Sequence, residues 1–305
     1  MDITITSLDR NDLRALSALC RQALLSQDAF APEDLEHTIF NDPFPDPAWT
    51  LVARASGEMV GVLNGALRQR KGQAKTGLVK LFAVLPAARR QGVATALFDR
   101  FEQMCRDAGA EAVRVGSQGP LYFFGGVDPR YTEAVIFLMN RGYEKSGDGF
   151  YLGVDLGQPL PRYDALIDKL AAQGIVFERP RLDQREEVRE WVRATFGDGW
   201  AHETDLGFEH DPVSVWIARA KGAVCGFAAS NATGREYFGP TGVGPDFRLK
   251  GIGRVLVVKC MEDMQGDGRR VGWIPTGLAR VRYYHNAAGA RVMRTFWAFG
   301  KTLAE

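Results

Sequence analysis

Val84-Leu85-Pro86-Ala87-Ala88-Arg89-Arg90-Gln91-Gly92-Val93-Ala94 returns later in the chain as Val243-Gly244-Pro245-Asp246-Phe247-Arg248-Leu249-Lys250-Gly251-Ile252-Gly253. The Val, Pro, Arg and Gly keep a constant spacing of 159 residues, and the last position is small in both copies. Each copy stands between an apolar strand-like run and an apolar helical run. A loop so placed gathers backbone N–H groups at a helix start, where the helix dipole favours an anion. Gly92 and Gly251 lack a Cβ, so ligand oxygens can come close to the backbone. Arg89, Arg90, Arg248 and Lys250 add positive charge at the rim. The Gly-x-Gly-x-x-Gly and Gly-Lys-Ser/Thr spacings are absent, which disfavours dinucleotides and the nucleoside triphosphates of P-loop proteins.

The repetition extends outward. Ala53 to Gly61 matches Ala218 to Gly226 in register, each reading as strand, tight glycine turn, strand. Leu8-Asp9 before an amphipathic run (Leu13, Leu16, Leu19) parallels Leu182-Asp183 before Val188, Trp191 and Val192. Each half is therefore expected to run strand, helices, hairpin, strand, glycine loop with helix, strand, helix, strand. The fold class that follows is α/β with a mixed sheet, in two tandem domains. The first ends with a strand near Phe150–Leu156, and Gly157-Gln158-Pro159-Leu160-Pro161 is linker by composition. Domain boundaries of 1–157 and 158–305 follow. Asp164 to Ala172 reads as a short connecting helix, and the second half opens near Ile175.

Length and composition agree with this. The chain has 305 residues, enough for two ordinary domains, with 46% hydrophobic and 25% charged residues. A net charge of +1 supplies no field for nucleic acid. The start, Met1-Asp2-Ile3-Thr4, lacks the pattern of a secretory signal. No apolar run reaches the roughly 18 residues of a membrane helix. A cytoplasmic protein without nucleic-acid or membrane partners is expected. Cys20, Cys105, Cys225 and Cys260 stand far apart and the four histidines have no ligand spacing, so no metal is expected.

The run V-x-P-x-x-R-x-x-G-x-G/A followed by Leu97 or Leu256 resembles motif A of the GNAT superfamily of acyl-CoA-dependent N-acetyltransferases. Ala134 to Tyr143 resembles the motif B helix of that family, and Ala279 to Ala290 is its counterpart. The matches cover most of both halves, and the layout is similar to that of tandem GNAT proteins such as mycothiol synthases. The resemblance implies two GNAT acyl-CoA N-acyltransferase domains, with acetyl-CoA as co-substrate in a cleft between two splayed parallel strands. The backbone of Phe82, Ala83 and Val84, and of Thr241, Gly242 and Val243, would hold the pantetheine and the acetyl carbonyl. The loops Arg89, Arg90, Gln91, Gly92, Val93, Ala94 and Arg248, Lys250, Gly251, Ile252, Gly253 would hold the pyrophosphate. A backbone N–H before motif A would polarise the thioester. Attack by a primary amine is direct in this family, and the expected acceptor is a small-molecule amine.

The two halves differ where proton transfer is needed. Many family members use a motif B tyrosine as the acid for the departing thiolate and a glutamate on the strand before motif A as the base. Tyr284 and Glu236 take those places in the second half. The first half has Leu138 for the tyrosine and no carboxylate in Gly77 to Leu81. Catalysis is therefore expected in the second half, with the first binding acetyl-CoA without turnover. Tyr284 also reads as an aromatic core residue, and Glu236 as a solvated one. Tyr283 reads as the core partner in place of the family's Phe. Gly239-Pro240 is expected to break the strand after Glu236, since Pro cannot donate to a ladder. Trp200 to His210, acidic and aromatic, holds further base candidates. An insertion in the first half, Gly119 to Tyr131, reads either as packing on the other domain or as the wall of a first-half substrate pocket. Two other functions stay open: a non-catalytic acyl-CoA-binding or sensing protein, and an acetyltransferase active in its first half.

Overall fold

The computed structural model describes residues 1–42, 47–69, 72–116, 120–234 and 236–303. The chain divides into two compact units, Met1–Asp148 with Phe296–Glu305, and Gly149–Thr295. The division therefore falls inside two strands rather than in the linker at 157/158.

The first unit begins with β1 (Thr4–Ser7), α1 (Leu13–Ala23) and α2 (Pro32–Phe40), then β2 (Thr50–Ala55), β3 (Glu58–Arg68) and β4 (Thr76–Val84). The helix α3 (Val93–Asp107) follows the glycine loop, then come β5 (Ala112–Val115), α4 (Thr132–Asn140) and β6 (Glu144–Asp155). Strands β1 to β4 are antiparallel neighbours, whereas β4 and β5 run parallel. Alternation along β3 buries its two faces separately, as period-two side chains require. Leu63 packs with Leu97, Phe98 and Phe101 of α3, and Val62 with Leu16, Leu19 and Leu35 of α1 and α2.

The second unit repeats this order. It holds α5 (Asp164–Ala171), β7 (Ile175–Glu178), α6 (Arg185–Phe196), α7 (Asp198–Leu206), β8 (Val215–Ala220), β9 (Ala223–Ser230) and β10 (Phe238–Val243). The helix α8 (Ile252–Gly266), β11 (Val271–Gly277), α9 (Leu278–Ala288) and β12 (Arg291–Thr302) complete the chain. Strands β7 to β10 form an antiparallel sheet in the order β10-β9-β8-β7. One face packs on α8 and α9 through Leu256, Cys260, Met261 and Ala287, the other on α6 and α7 through Val188, Val192 and Ala201.

The repetition seen in the residues holds in the backbone. The hairpin turns are Ser56-Gly57 at φ 50° and 85°, and Lys221-Gly222 at 51° and 85°. Both are two-residue turns whose paired positive φ suits the strand twist. The ladder then slips by one residue at the same place, between Ala53 and Arg54 and between Ala218 and Arg219. The bulged arginine binds a carboxylate at the start of the unit's first long helix. Arg54 holds Asp12 at 2.6 Å, and Arg219 grips both oxygens of Glu187 at 2.6 and 2.7 Å.

The end of the chain belongs to its beginning. Phe299–Thr302 of β12 pairs antiparallel with Ala112–Val115 of β5, and Leu303 N–H donates to the Glu111 carbonyl at 2.8 Å. Phe299, 2% exposed, lies in the core with Phe98 and Phe101. Lys301 Nζ donates to Glu102 of α3 at 2.9 Å, and Arg141 and the Tyr143 hydroxyl donate to the same carboxylate at 3.0 Å each. Reciprocally, Gly149 to Asp155 of β6 pairs with Val271 to Gly277 of β11 in the second unit.

Two outcomes are expected. Phe299→Ala removes a fully buried ring and should cost about 3–5 kcal/mol. The loss should show by hydrogen exchange in α3 and β5, while β8 and β9 keep their protection. Equal loosening of both would contradict the division. The second outcome concerns acid. Burial alone would raise the Glu102 pKa, but the hydrogen bonds from Lys301, Arg141 and Tyr143 outweigh it and hold it below the usual 4.5. A depressed carboxylate stabilises the fold above its unfolded pKa and loses that contribution as pH falls through its folded value. The melting gap between wild type and Glu102→Gln should therefore be full near neutrality and close below about pH 4.5. A gap independent of pH would refute this.

Candidate active site

The backbone of each glycine loop is decided locally. Pro86 and Pro245 each start a single 3-10 turn, Pro86–Ala88 and Pro245–Phe247, closed by a bond from the next N–H. The chain then passes through left-handed φ at Arg90 (62°) and Gly92 (86°), and at Leu249 (64°) and Gly251 (94°). Only glycine takes the second of these without strain. The reversal aims the N–H groups of Gly92, Val93 and Ala94, and of Gly251, Ile252 and Gly253, away from every backbone acceptor among the described residues. These are the orphan donors of a helix start, and they fit a phosphate group. Arg89 and Arg248 turn back, each Nε donating to the carbonyl of the preceding strand end, Val84 at 3.3 Å and Val243 at 3.2 Å. Their role is to brace the loop. Gln91 likewise donates to the Ala87 carbonyl at 2.8 Å.

The strand edges beside the loops are open. Pairing of β4 with β5 stops at Val79 and Val115, with one further bond from Gly116 N–H to the Val79 carbonyl at 3.1 Å. Phe82, Ala83 and Val84 thus run on with only β3 beside them in the ladder. In the second unit a lone bridge joins Tyr237 to Trp273, and Thr241, Gly242 and Val243 pair with β9 only. Both clefts have the splayed edge that an extended acyl chain needs. A bulge precedes each edge, at Lys80 in β4 and between Phe238 and Thr241 in β10. The break expected at Gly239-Pro240 is that bulge, absorbed within the strand.

The sequence-derived residues fall unevenly around the second cleft. Tyr284 is partly buried on α9, its ring 6.0 Å from Phe238 of β10 and 5.0 Å from Tyr283. Its hydroxyl has no hydrogen-bonding partner among the described residues. Burial first, and the neighbouring Tyr283 second, push its pKa well up, so the phenol keeps its proton at neutral pH. Glu236 does not lie on a strand. It occupies a turn two residues before β10, at φ 69°, with its carboxylate on Arg269 at 2.8 Å and its N–H on Asn231 Oδ1 at 2.9 Å. In the first unit Leu138 is fully buried among apolar neighbours.

The opposite face of each active strand is also occupied differently. A Cβ on Gly242 would strike the Phe196 ring, which stands among Trp191, Trp200 and Phe227. In the first unit, Lys80 is buried and bound to Asp42 at 2.9 Å and the Thr38 carbonyl at 3.1 Å. In the segment Trp200 to His210, Glu203 is buried and accepts from Thr233 at 2.7 Å, while Asp205 is held by Arg185 at 2.6 and 2.7 Å. The first-half insertion packs inside its own unit. Phe123 and Phe124 lie 4.9 and 5.3 Å from Phe30, the Tyr131 hydroxyl donates to Asp28 at 2.6 Å, and Val127 bridges to Trp297. Gly119 lies outside the described residues.

Two features escaped sequence reasoning. A Cβ on Gly251 would come within 2.8 Å of Leu166, so the connecting helix α5 lies against the second glycine loop, whereas nothing approaches Gly92 within 4 Å. A Cβ on Gly253 would strike the Tyr283 hydroxyl. The signal for that contact was present as a paired change: Ala94 with Phe137 in the first unit, Gly253 with Tyr283 in the second. No helix among the described residues is long and apolar enough to cross a membrane.

Comparison with solved structures finds the same architecture. A GCN5-related glucosamine N-acetyltransferase region of a fungal multi-domain β-N-acetylglucosaminidase aligns at TM-score 0.79 and 19% identity, over 98% of this chain and 38% of that one. A GCN5-related N-acetyltransferase from Sphaerobacter thermophilus aligns at TM-score 0.68 and 18% identity, over 98% and 95%. A tandem GNAT protein from the clavulanic acid biosynthesis pathway aligns at 0.67 and 17%, over 100% and 99%. These likenesses show the fold. A search of curated proteins finds no match. The Acetyltransferase (GNAT) family model matches residues 13–119 and 184–289, once over each splayed cleft and its glycine loop. Since those two matches take in both N–H cradles and both open strand edges, the chain belongs to the GNAT acetyltransferase family, as a tandem member.

Proposed function

We propose that the chain transfers the acetyl group of acetyl-CoA to a primary amine of a small molecule, with its active centre in the second unit. The observation that carries this is Tyr284, a protonated phenol with an uncommitted hydroxyl, its ring 6.0 Å from that of Phe238 at the start of β10. The first unit offers only the buried side chain of Leu138 there. The amine lone pair attacks the thioester carbonyl carbon, and the developing oxyanion is met by a backbone N–H of the Thr241–Val243 edge. The C–S bond breaks, the leaving thiolate takes the Tyr284 proton, and the acylated nitrogen gives its extra proton to the phenolate, which restores Tyr284. The first unit, with a matching cradle and an open Gly92, binds acetyl-CoA without turnover in this reading.

Glu236 is the candidate for removing the proton from the acceptor ammonium. To serve, its carboxylate must leave Arg269. The reading thus makes a paired demand: Glu236→Gln lowers kcat, while Arg269→Ala, which frees the carboxylate, preserves or raises it. An equal fall in both would make the ion pair structural and remove Glu236 from the mechanism. For Tyr284→Phe, kcat should fall by about 10²–10⁴-fold, the usual contribution of a positioned acid, with acetyl-CoA affinity nearly unchanged. Release of CoA thiol across a panel of primary amines is the measurement. An unaltered kcat would sink the assignment of Tyr284. Acetyl-CoA binding without acceptor-dependent release would instead favour a sensing role.

A further inference from the structure

We propose that the Tyr283 hydroxyl is a ligand of the second cradle, donating a hydrogen bond to the pyrophosphate of acetyl-CoA at the first turn of α8. The inference rests on the reading that the second unit holds acetyl-CoA, and goes beyond it by naming a donor that the glycine motif does not contain.

The geometry is specific. Tyr283 reaches from α9 to the start of α8, where its hydroxyl fills the place a Gly253 side chain would take. The Val243 side chain also borders that place, 3.5 Å from where the Cβ would be. The hydroxyl therefore stands at the first turn of α8, close to the side chain of Val243 that ends β10. It has no hydrogen-bonding partner among the described residues, so a donor is left over at a point where the fold presents other unused donors. Burial first pushes the phenol up to about 12, with Arg254 and Arg280 opposing that rise through their charge. The group is a donor throughout the neutral range, and two cations lie near enough to act on it. Neither arginine has an ion-pair partner among the described residues. Charge of this sign beside a free hydroxyl suits a phosphate.

The first unit lacks all of this. Ala94, Thr95, Ala134 and Phe137 stand where the second has Gly253, Arg254, Arg280 and Tyr283. The methyl of Ala94 and the missing hydroxyl of Phe137 are complementary, as are the missing methyl of Gly253 and the hydroxyl of Tyr283. In the second unit the missing side chain of Gly253 leaves the room that the added polar group takes. A core tyrosine would need no such accommodation, since a phenylalanine with alanine fills the space equally well.

The test is calorimetric titration of the full-length chain with CoA and with 3′-dephospho-CoA. It is done in a Gly92→Glu background, which closes the first cradle with a side chain and a repelling charge. Tyr283→Phe should weaken both ligands by the same factor, about tenfold, because a hydrogen bond to a charged group is lost and both ligands carry the pyrophosphate. The double variant Tyr283→Phe with Gly253→Ala copies the pair of the first unit. It should show the same loss with an unchanged melting temperature. Affinity within twofold of the background, or a loss confined to CoA, would overturn the proposal. Absence of any binding in the Gly92→Glu background, with Tyr283 intact, would overturn the second-unit reading instead. Gly251→Glu in that background should abolish binding, and its failure to do so would also count against that reading alone.

Discussion

Everything in each unit depends on how closely one helix can approach one strand. A Cβ on Gly61 of β3 would stand 2.7 Å from Val93 Cγ1, and one on Gly226 of β9 would stand 3.3 Å from Ile252 Cγ2 and Leu256 Cδ1. The helix after each glycine loop rests on these bare patches of backbone. Its first turn is thereby held at the end of the preceding strand, and its orphan N–H groups face the open edge. A methyl on either strand would push the helix outward by a few tenths of an ångström or more and spoil the alignment of cradle and edge. The ligand chemistry of this protein is in this sense a consequence of sheet packing.

That dependence explains what could be read from residues alone. The glycine loops, hairpins and helix periodicities are local, and each was legible because a few adjacent residues decide the backbone. Pro86, Arg89 and Gly92 with their partners 159 residues on are enough to specify the same dihedral path twice. The two loops accordingly follow the same backbone path, with Arg89 and Arg248 each turned back onto its strand end. The partners of Glu236 were not legible, because Arg269 reaches it only through tertiary folding. The contact of Leu166 with Gly251 was hidden for the same reason. The crossing of β6 and β12 between units was invisible as well, since their residues read as ordinary strands in either half.

The two units share a backbone and have diverged in their side chains. Where the first has Phe137 and the fully buried Leu138 at its core, the second has the half-buried phenols of Tyr283 and Tyr284 against its own. The other face of the active strand shows the same divergence. A buried lysine–aspartate pair lies beside β4, and a cluster of aromatic rings covers Gly242. Duplication of a fold leaves the backbone donors equal and the side chains free to differ.

The return of Phe296–Glu305 to the first unit has a consequence for the order in which the molecule is made. Synthesis runs from the N-terminus, and domains ordinarily fold in that order. Here the strand that pairs with β5 is translated after the whole of the second unit. The second unit, Gly149–Thr295, is fully synthesised while the first still lacks its final strand and the Lys301 contact to Glu102. The N-terminal unit is thus the later one to mature, waiting on a strand made after the second unit.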